Sequence, residues 1–327
     1  MFKLISDTSC DWIKEYAEEH NVTLVPLYTT FDGQTYYKEQ FEISYDEFYR
    51  KMTDENAFPK SSLPSIQDYV DAFMPSVEAG VPIICCCITT YFSGSYNSAC
   101  TARDMIIEDY PDAKITVINS LQNSASMSLF VYEAMCMRDA GYSYEDTVKK
   151  LEAMRPFGRI IFTTESLDYL TKGGRLVKTA AMITSKLNLR PIIIMKGGEI
   201  DVGGFFRTRK KAKAKVIELL CKHFQESGLN INDYDITVGY CTNPEEASEY
   251  RKEVEEAIVS LSNDPEGFVT LSWTSVSGDF SFIQALCFDG SYLIEYRTAD
   301  LKKGYVYRKP NVPIEETLQF FRSFLEN

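Results

Sequence analysis

The chain has 327 residues, of which 45% are hydrophobic and 25% charged, and its formal net charge is −13. The length favours two domains over one small core, and the composition excludes a collagen, a coiled coil or a disordered chain. The acidic excess disfavours a nucleic-acid partner, because DNA- and RNA-binding proteins normally carry a basic surface. No apolar run approaches the roughly 18 residues that a membrane span needs, so stable membrane insertion is not expected.

Apolar strands and capped helices alternate along the first half of the chain. Helix starts are indicated at Ser44, Ser65 and Ser143, where a hydroxyl precedes an acidic residue in the first turn. Continuous apolar runs are typical of strands covered on both faces, and they predict strands at residues 2–6, 23–27, 82–88, 115–118 and 159–164. This alternation predicts a parallel three-layer α/β domain over residues 1–157.

The pattern changes after about residue 157. Two apolar runs around the turn at 196–199 predict a hairpin. The remaining predicted elements are helices over 180–189, about 208–226, 244–261 and after Pro313, and strands over 236–240, 268–273 and 292–296. They predict a mixed α+β domain over residues 158–327, with a ligand site in the cleft between the two domains.

Hydroxyl groups gather at the predicted strand-to-helix turn that contains Ser93, Gly94 and Ser95. Ligands of open α/β sheets bind at the carboxyl ends of the strands, and free amides at a helix start favour an anion. Gly94 would allow a ligand to approach the backbone. The turn therefore predicts an anion site, the alternative being that the serines only cap the helix.

Two further hydroxyl clusters follow the same logic. One is the run Lys60-Ser61-Ser62, which stands before the helix cap at Ser65, and the other is the run from Ser6 to Ser9 at the end of the first strand. Three such turns at strand carboxyl ends can converge on one polar or anionic group.

Several kinds of catalytic or cofactor motif are missing from the sequence. The two histidines, His20 and His223, lie in charged segments, which makes a Ser-His-Asp triad improbable. The chain has neither a phosphate-binding loop for ATP nor a dinucleotide fingerprint. The nine cysteines show no metal spacing and no disulfide framework, which is typical of the reducing cytosol. We therefore expect no cofactor, no metal and a cytoplasmic location.

Taken together, the motifs resemble those of the DegV family, the fatty-acid-binding subunits of bacterial fatty acid kinase. The resemblance covers nearly the full length and rests on five segments in the same order. These are Ser6-Asp7-Thr8-Ser9, the run from Lys60 to Ser65, the run from Ser93 to Ala99, Tyr169 to Arg175, and Arg207 to Ala212.

The resemblance implies a carrier that is not itself an enzyme and holds a long-chain fatty acid in a tunnel between two domains. The carboxylate contacts would map onto Ser61 or Ser62 and onto Ser93 with the Gly94 amide, while Ser95 adds a further hydroxyl. Arg175 is a further candidate, pairing across the domains at the ligand. A separate ATP-dependent kinase would then convert the acid into an acyl phosphate.

Two features bear on the coupling to a kinase. The basic run from Arg207 to Lys215 is typical of a solvated helix face, the alternative being that it docks, through Arg207 and Arg209, to an acidic surface of the kinase or to its ATP site. Val276 stands where the family usually has a histidine, and Asp279 and Phe280 replace proline and glycine beside it. This departure keeps open a lipid sensor or reservoir that has no kinase. A serine-dependent acyl-transfer enzyme is the less favoured alternative.

Overall fold

The structure is a computed structural model. It describes residues 1–55, 57–165, 167–175, 189–227, 235–240, 244–261, 268–274, 280–288, 291–297 and 307–312. The chain divides into two compact units, Met1–Arg209 and Lys210–Asn327.

The first unit holds most of the described elements. Its helices are α1 Lys14–Glu19, α2 Tyr45–Thr53, α3 Ile66–Glu78, α4 Ser95–Asp109, α5 Ser124–Asp139, α6 Tyr144–Met154 and α7 Asp168–Lys172. Its strands are β1 Lys3–Asp7, β2 Val22–Val25, β3 Tyr28–Thr30, β4 Tyr37–Lys38, β5 Lys60–Ser62, β6 Ile83–Cys87, β7 Ile115–Asn119, β8 Arg159–Thr163, β9 Arg190–Lys196 and β10 Glu199–Phe206.

The centre of this unit is a parallel sheet in the order β2-β1-β6-β7. Every residue of β6 is buried, which explains why this strand is apolar without alternation. Helices α3 and α4 pack on one face of the sheet through Tyr69, Phe73, Ala99 and Ala102, and α5 contacts β1. The predicted parallel α/β arrangement is confirmed.

Two small antiparallel sheets accompany the parallel one, in the orders β4-β3-β5 and β10-β9-β8. The predicted hairpin is present as β9 and β10, and β8 pairs antiparallel with β9. Strand β5 was not expected, because its residues Lys60–Ser62 are polar and gain a strand conformation only by pairing with β3. The division into units at Arg209 does not coincide with the predicted domain boundary at residue 157, which stays a prediction.

The second unit combines helices with a mixed sheet, as predicted. Helix α8 (Arg209–Ser227) begins at the last residue of the first unit and is followed by β11 (Ile236–Thr237) and α9 (Pro244–Leu261). The sheet order is β11-β12-β13-β14-β15, and only the β11–β12 pair is parallel. Its later strands are β12 Phe268–Thr274, β13 Phe280–Phe288, β14 Ser291–Arg297 and β15 Tyr307–Val312.

Within this unit the Tyr250 hydroxyl of α9 donates to the Lys213 carbonyl of α8 at 2.9 Å. The helices predicted at 180–189 and after Pro313 lie outside the described residues, apart from Leu189 itself.

Candidate functional site

The turn between β6 and α4 is short and strongly bent. The amides of Phe92 and Ser93 both donate to the Thr89 carbonyl, at 3.0 and 3.3 Å, which folds the chain back after the strand. Gly94 is the N-cap residue and α4 begins at Ser95, as the sequence predicted. Parallel strands end at this edge of the sheet, so the turn lies where ligands of such sheets bind.

Ser93 has a defined hydrogen-bonding state. Its Oγ accepts a hydrogen bond from the Ser95 amide at 3.2 Å. Because the oxygen is the acceptor there, the hydroxyl proton of Ser93 remains available for another partner. The N–H of Gly94 has no acceptor among the described residues, as is usual for the first amides of a helix. The turn can therefore offer two adjacent donors to an anion.

A second set of hydroxyls comes from β5, which runs antiparallel to β3. Directly after this strand, Ser65 caps α3 in a capping box with Asp68. Asp68 also accepts from Lys38 Nζ at 2.8 Å and from the Tyr28 hydroxyl at 2.9 Å. Burial raises the pKa of Asp68, but Lys38 and Ser65 outweigh it and hold the pKa below its usual value. These contacts fix the segment that carries Ser61 and Ser62.

Arg175 lies just after α7 and supports the same turn. Its Nε donates to the Phe92 carbonyl at 3.2 Å, and its Nη1 donates to the Gly173 carbonyl. The guanidinium thus contacts the residue next to Ser93 and keeps further N–H groups for a ligand, since arginine carries five donors. A fixed positive charge at this place favours a carboxylate.

These residues meet around one cavity of about 220 Å³. The predicted residues Ser61, Ser62, Ser93 and Arg175 line it, whereas Gly94 and Ser95 are not among its lining residues. The other lining residues are mostly apolar and come from both the parallel-sheet edge and the sheet β8–β10; they are Leu27, Ile88, Phe92, Asn123, Phe162, Leu170, Met195 and Ile200. The cavity therefore combines apolar walls with clustered hydrogen-bond donors and one positive charge, as an amphipathic anion requires.

Ser95 is the predicted site residue whose side chain points elsewhere. It does not belong to the cavity lining, and it is fully buried. Its hydroxyl donates to Asp7 Oδ2 at 2.5 Å and lies 2.5 Å from the Tyr69 hydroxyl. The hydroxyl is engaged beneath the turn and is not presented to a ligand, so the geometry corrects the expectation that it contacts the head group.

Sequence reasoning assigned no role to Asp7, which does not line the cavity but accepts from the Ser95 hydroxyl beneath the turn. It stands at the carboxyl end of β1, fully buried, and also accepts from the Ile88 amide at 3.0 Å. Burial raises the pKa of Asp7, while hydrogen bonds from Ser9, Ser95 and Ile88 oppose that rise. The available signal was an acidic residue inside a hydroxyl-rich strand end.

The third hydroxyl cluster does not reach the cavity. Ser9 donates to Asp7, and the Thr8 hydroxyl donates to Glu39 Oε2 at 2.6 Å. The two histidines are likewise absent from the cavity lining. His20 contacts the Tyr16 carbonyl through Nδ1 at 2.9 Å, and His223 packs edge-on against the ring of Phe224.

The DegV family model, described as that of an uncharacterised protein, matches residues 1–269. The chain belongs to the DegV family. A DegV domain-containing protein of Clostridium acetobutylicum is 31% identical over 239 residues, which are 71% of this chain and 83% of that protein.

Several solved structures share the fold. A stearic acid-binding protein of Eubacterium ventriosum is 45% identical, with a TM-score of 0.73 over 79% of this chain and 88% of that one. DegV of Bacillus subtilis, a fatty acid binding protein, is 26% identical, with a TM-score of 0.66 over 78% and 88%. The Fatty Acid Kinase (Fak) B3 protein of Streptococcus pneumoniae, loaded with linoleic acid, is 25% identical, with a TM-score of 0.64 over 80% and 88%.

The remaining DegV segments are placed as follows. Arg207 and Arg209 are exposed where β10 leads into α8. Val276 and Asp279 lie outside the described residues. Within the described part of the chain, no helix is both long and apolar enough to cross a membrane, and no group of His, Cys, Asp or Glu could hold a metal.

Proposed function

We propose that this DegV protein binds one long-chain fatty acid and presents its carboxylate to a separate ATP-dependent fatty acid kinase. The observation that carries the proposal is the placement of Ser61, Ser62, Ser93 and Arg175 around an otherwise largely apolar cavity. The protein is then a carrier in the cytoplasm, and the chemistry takes place on the partner kinase.

The division of labour between tail and head group follows from simple energetics. A buried CH₂ contributes about 0.8 kcal/mol, so a long-chain tail gains roughly 12 kcal/mol before the costs of association and ordering. A carboxylate removed from water costs several kcal/mol unless it finds hydrogen bonds. The tail therefore supplies most of the affinity, and the hydroxyls with Arg175 decide which end of the ligand reaches the Ser93 turn.

The relatives support this assignment of ligand class. The 45% identical protein of Eubacterium ventriosum is a stearic acid-binding protein. A kinase partner is supported by the similarity to the Streptococcus pneumoniae kinase protein, which carries linoleic acid. A nucleophilic role for Ser93 is less favoured, because no histidine occurs among the described residues that line the cavity.

Native mass spectrometry of protein purified from cells tests the ligand class. We expect the mass of the chain plus one long-chain fatty acid, and a stripped sample should regain that mass when titrated with palmitic acid. Failure of the stripped, folded protein to bind any long-chain acid would refute the proposal.

The kinase step needs a second experiment. The loaded protein is incubated with its cognate kinase and ATP, and acyl phosphate is trapped with hydroxylamine. The expected result is acyl phosphate that depends on all three components. Tight binding without any acyl phosphate would instead identify a lipid sensor or reservoir, and ester hydrolysis by the chain alone would identify an enzyme.

A further inference from the structure

The Asp7 carboxylate accepts hydrogen bonds from three separate segments of the chain, beneath the Ser93 turn. Its Oδ2 accepts from the Ile88 amide at 3.0 Å and from the Ser95 hydroxyl at 2.5 Å, and its Oδ1 accepts from the amide and hydroxyl of Ser9. The carboxylate is 0% exposed. A buried carboxylate that accepts four hydrogen bonds is held in one orientation, because charge-assisted hydrogen bonds are shorter and stronger than neutral ones.

The proton positions in this network follow from counting donors. Ser95 has one hydroxyl proton and gives it to Asp7, so the Tyr69 hydroxyl must be the donor in its 2.5 Å contact with Ser95. The Ser95 amide donates in turn to Ser93 Oγ at 3.2 Å. Asp7 is thus connected through one residue to the hydroxyl that lines the cavity.

We propose that Asp7 is a positioning residue for carboxylate recognition, which acts through Ser95 to keep the Ser93 hydroxyl aimed into the cavity. The inference rests on the proposed function, since it concerns the head group of the bound acid. Asp7 also holds the amide of Ile88, which itself lines the cavity. The Asp7 carboxylate therefore holds both Ile88, which lines the cavity, and Ser95, which binds Ser93.

An aspartate suits this place better than its amide. The four donors fill all four acceptor positions of the carboxylate, and asparagine would turn an NH₂ group toward two of them. The Asp7→Asn variant keeps the size of the side chain and breaks the donor pattern, which makes it the direct test. Ser95→Ala removes the hydroxyl that links Asp7 to the turn, and with it the acceptor of the Tyr69 hydroxyl, and is the second variant.

The readout is the affinity for palmitic acid relative to that for palmitic acid methyl ester. The two ligands share the tail but differ in the charged head group, so loss of general stability lowers both affinities alike. We expect Asp7→Asn and Ser95→Ala to weaken acid binding by about 10-fold and to leave ester binding unchanged. The carboxyl ¹³C signal of labelled palmitate should shift in both variants.

Ser98→Ala is the matched control, because it removes a buried hydroxyl one turn later in the same helix, α4. It should leave the ratio of acid to ester affinity unaltered. Equal loss of acid and ester binding in both test variants, or an unchanged ratio in Ser95→Ala, would overturn the positioning role while leaving fatty acid binding intact. Wild-type protein that binds neither ligand would overturn the proposed function and this inference with it.

Discussion

The Ser95 amide donates to the Ser93 hydroxyl oxygen at 3.2 Å, so that two residues of one turn are joined although their side chains point in different directions. Ser93 faces the cavity, whereas the Ser95 side chain is turned into the interior. The hydrogen bond between them removes one acceptor role from Ser93 and leaves its proton for a ligand. This arrangement makes the contribution of each serine separable by mutation.

Ser93→Ala should weaken the binding of a long-chain acid by about 1–3 kcal/mol, the range expected for a lost hydrogen bond to a charged group. Isothermal titration with palmitic acid measures the change. Unchanged affinity would exclude the Ser93 hydroxyl as a head-group donor.

Arg175→Gln should also weaken acid binding, by about 10-fold, because the variant removes a positive charge near the carboxylate. Arg175→Lys should restore only part of the affinity, since lysine lacks the planar group that donates to the Phe92 carbonyl. Comparison of the two variants in the same titration separates charge from geometry. If Arg175→Lys binds the acid with wild-type affinity, the hydrogen bond to the Phe92 carbonyl does not contribute to binding.

Neutralising Arg207 and Arg209 to glutamine should slow acyl phosphate formation by about 10-fold at low salt while lipid affinity stays unchanged, because charges at an interface act mainly on association. A control variant with Lys149 and Lys150 changed to glutamine removes the same amount of charge from exposed positions of α6, outside the basic run, and should leave acyl phosphate formation unchanged. Reduced lipid binding in the arginine variant would indicate a structural role instead.

The free energy of unfolding should depend on pH because of the Glu39 carboxyl. Burial, reinforced by Asp11 and Asp7, raises the pKa of Glu39 to about 7, although the Thr8 hydroxyl lowers it. The folded state therefore keeps a proton that the unfolded chain releases near its ordinary pKa of 4.5. This contribution to stability is fully present below pH 4.5 and is lost as the pH rises through about 7.

Glu39→Gln removes this titration and keeps an acceptor for Thr8. The variant should be more stable than the wild type by about 3 kcal/mol near pH 8 and similar to it near pH 4.5. Urea unfolding at the two pH values measures the difference. A constant offset between wild type and variant would contradict the raised pKa.

The β9–β10 turn packs on the loop that leads to Ser93. Gly198 has a φ of +89°, and a Cβ there would collide with Thr89 Oγ1 and approach Tyr91 Cδ2 to 3.0 Å. Gly198→Ala should lower the free energy of unfolding by about 1–3 kcal/mol. Gly197→Ala is the control, because its φ is also positive but its added Cβ meets no atom within 4 Å. Equal losses in the two variants would show that the contact with the loop contributes nothing.

Local patterns in the sequence determined much of the architecture. Continuous apolar runs located the strands of the parallel sheet, and the serine at position 65 located the start of α3, because burial on both faces and helix capping are read within a few residues. The helix start at Ser95 and the hydroxyls of Ser61, Ser62 and Ser93 came from the same local evidence.

The direction in which each hydroxyl points was decided by the tertiary structure. Ser93 and Ser95 are alike in sequence terms, yet only Ser93 lines the cavity, because Ser95 binds a carboxylate 88 residues away. Strand β5 likewise exists through its pairing with β3, since its own residues have no apolar pattern. The direction of a side chain and the pairing of a strand depend on partners that are distant in the chain. Local periodicity and capping signals carry no information about those partners. The sequence by itself therefore determined which segments form the candidate site, and the packing of β1 beside β6 and α4 decided which side chain of the Ser93 turn lines the cavity.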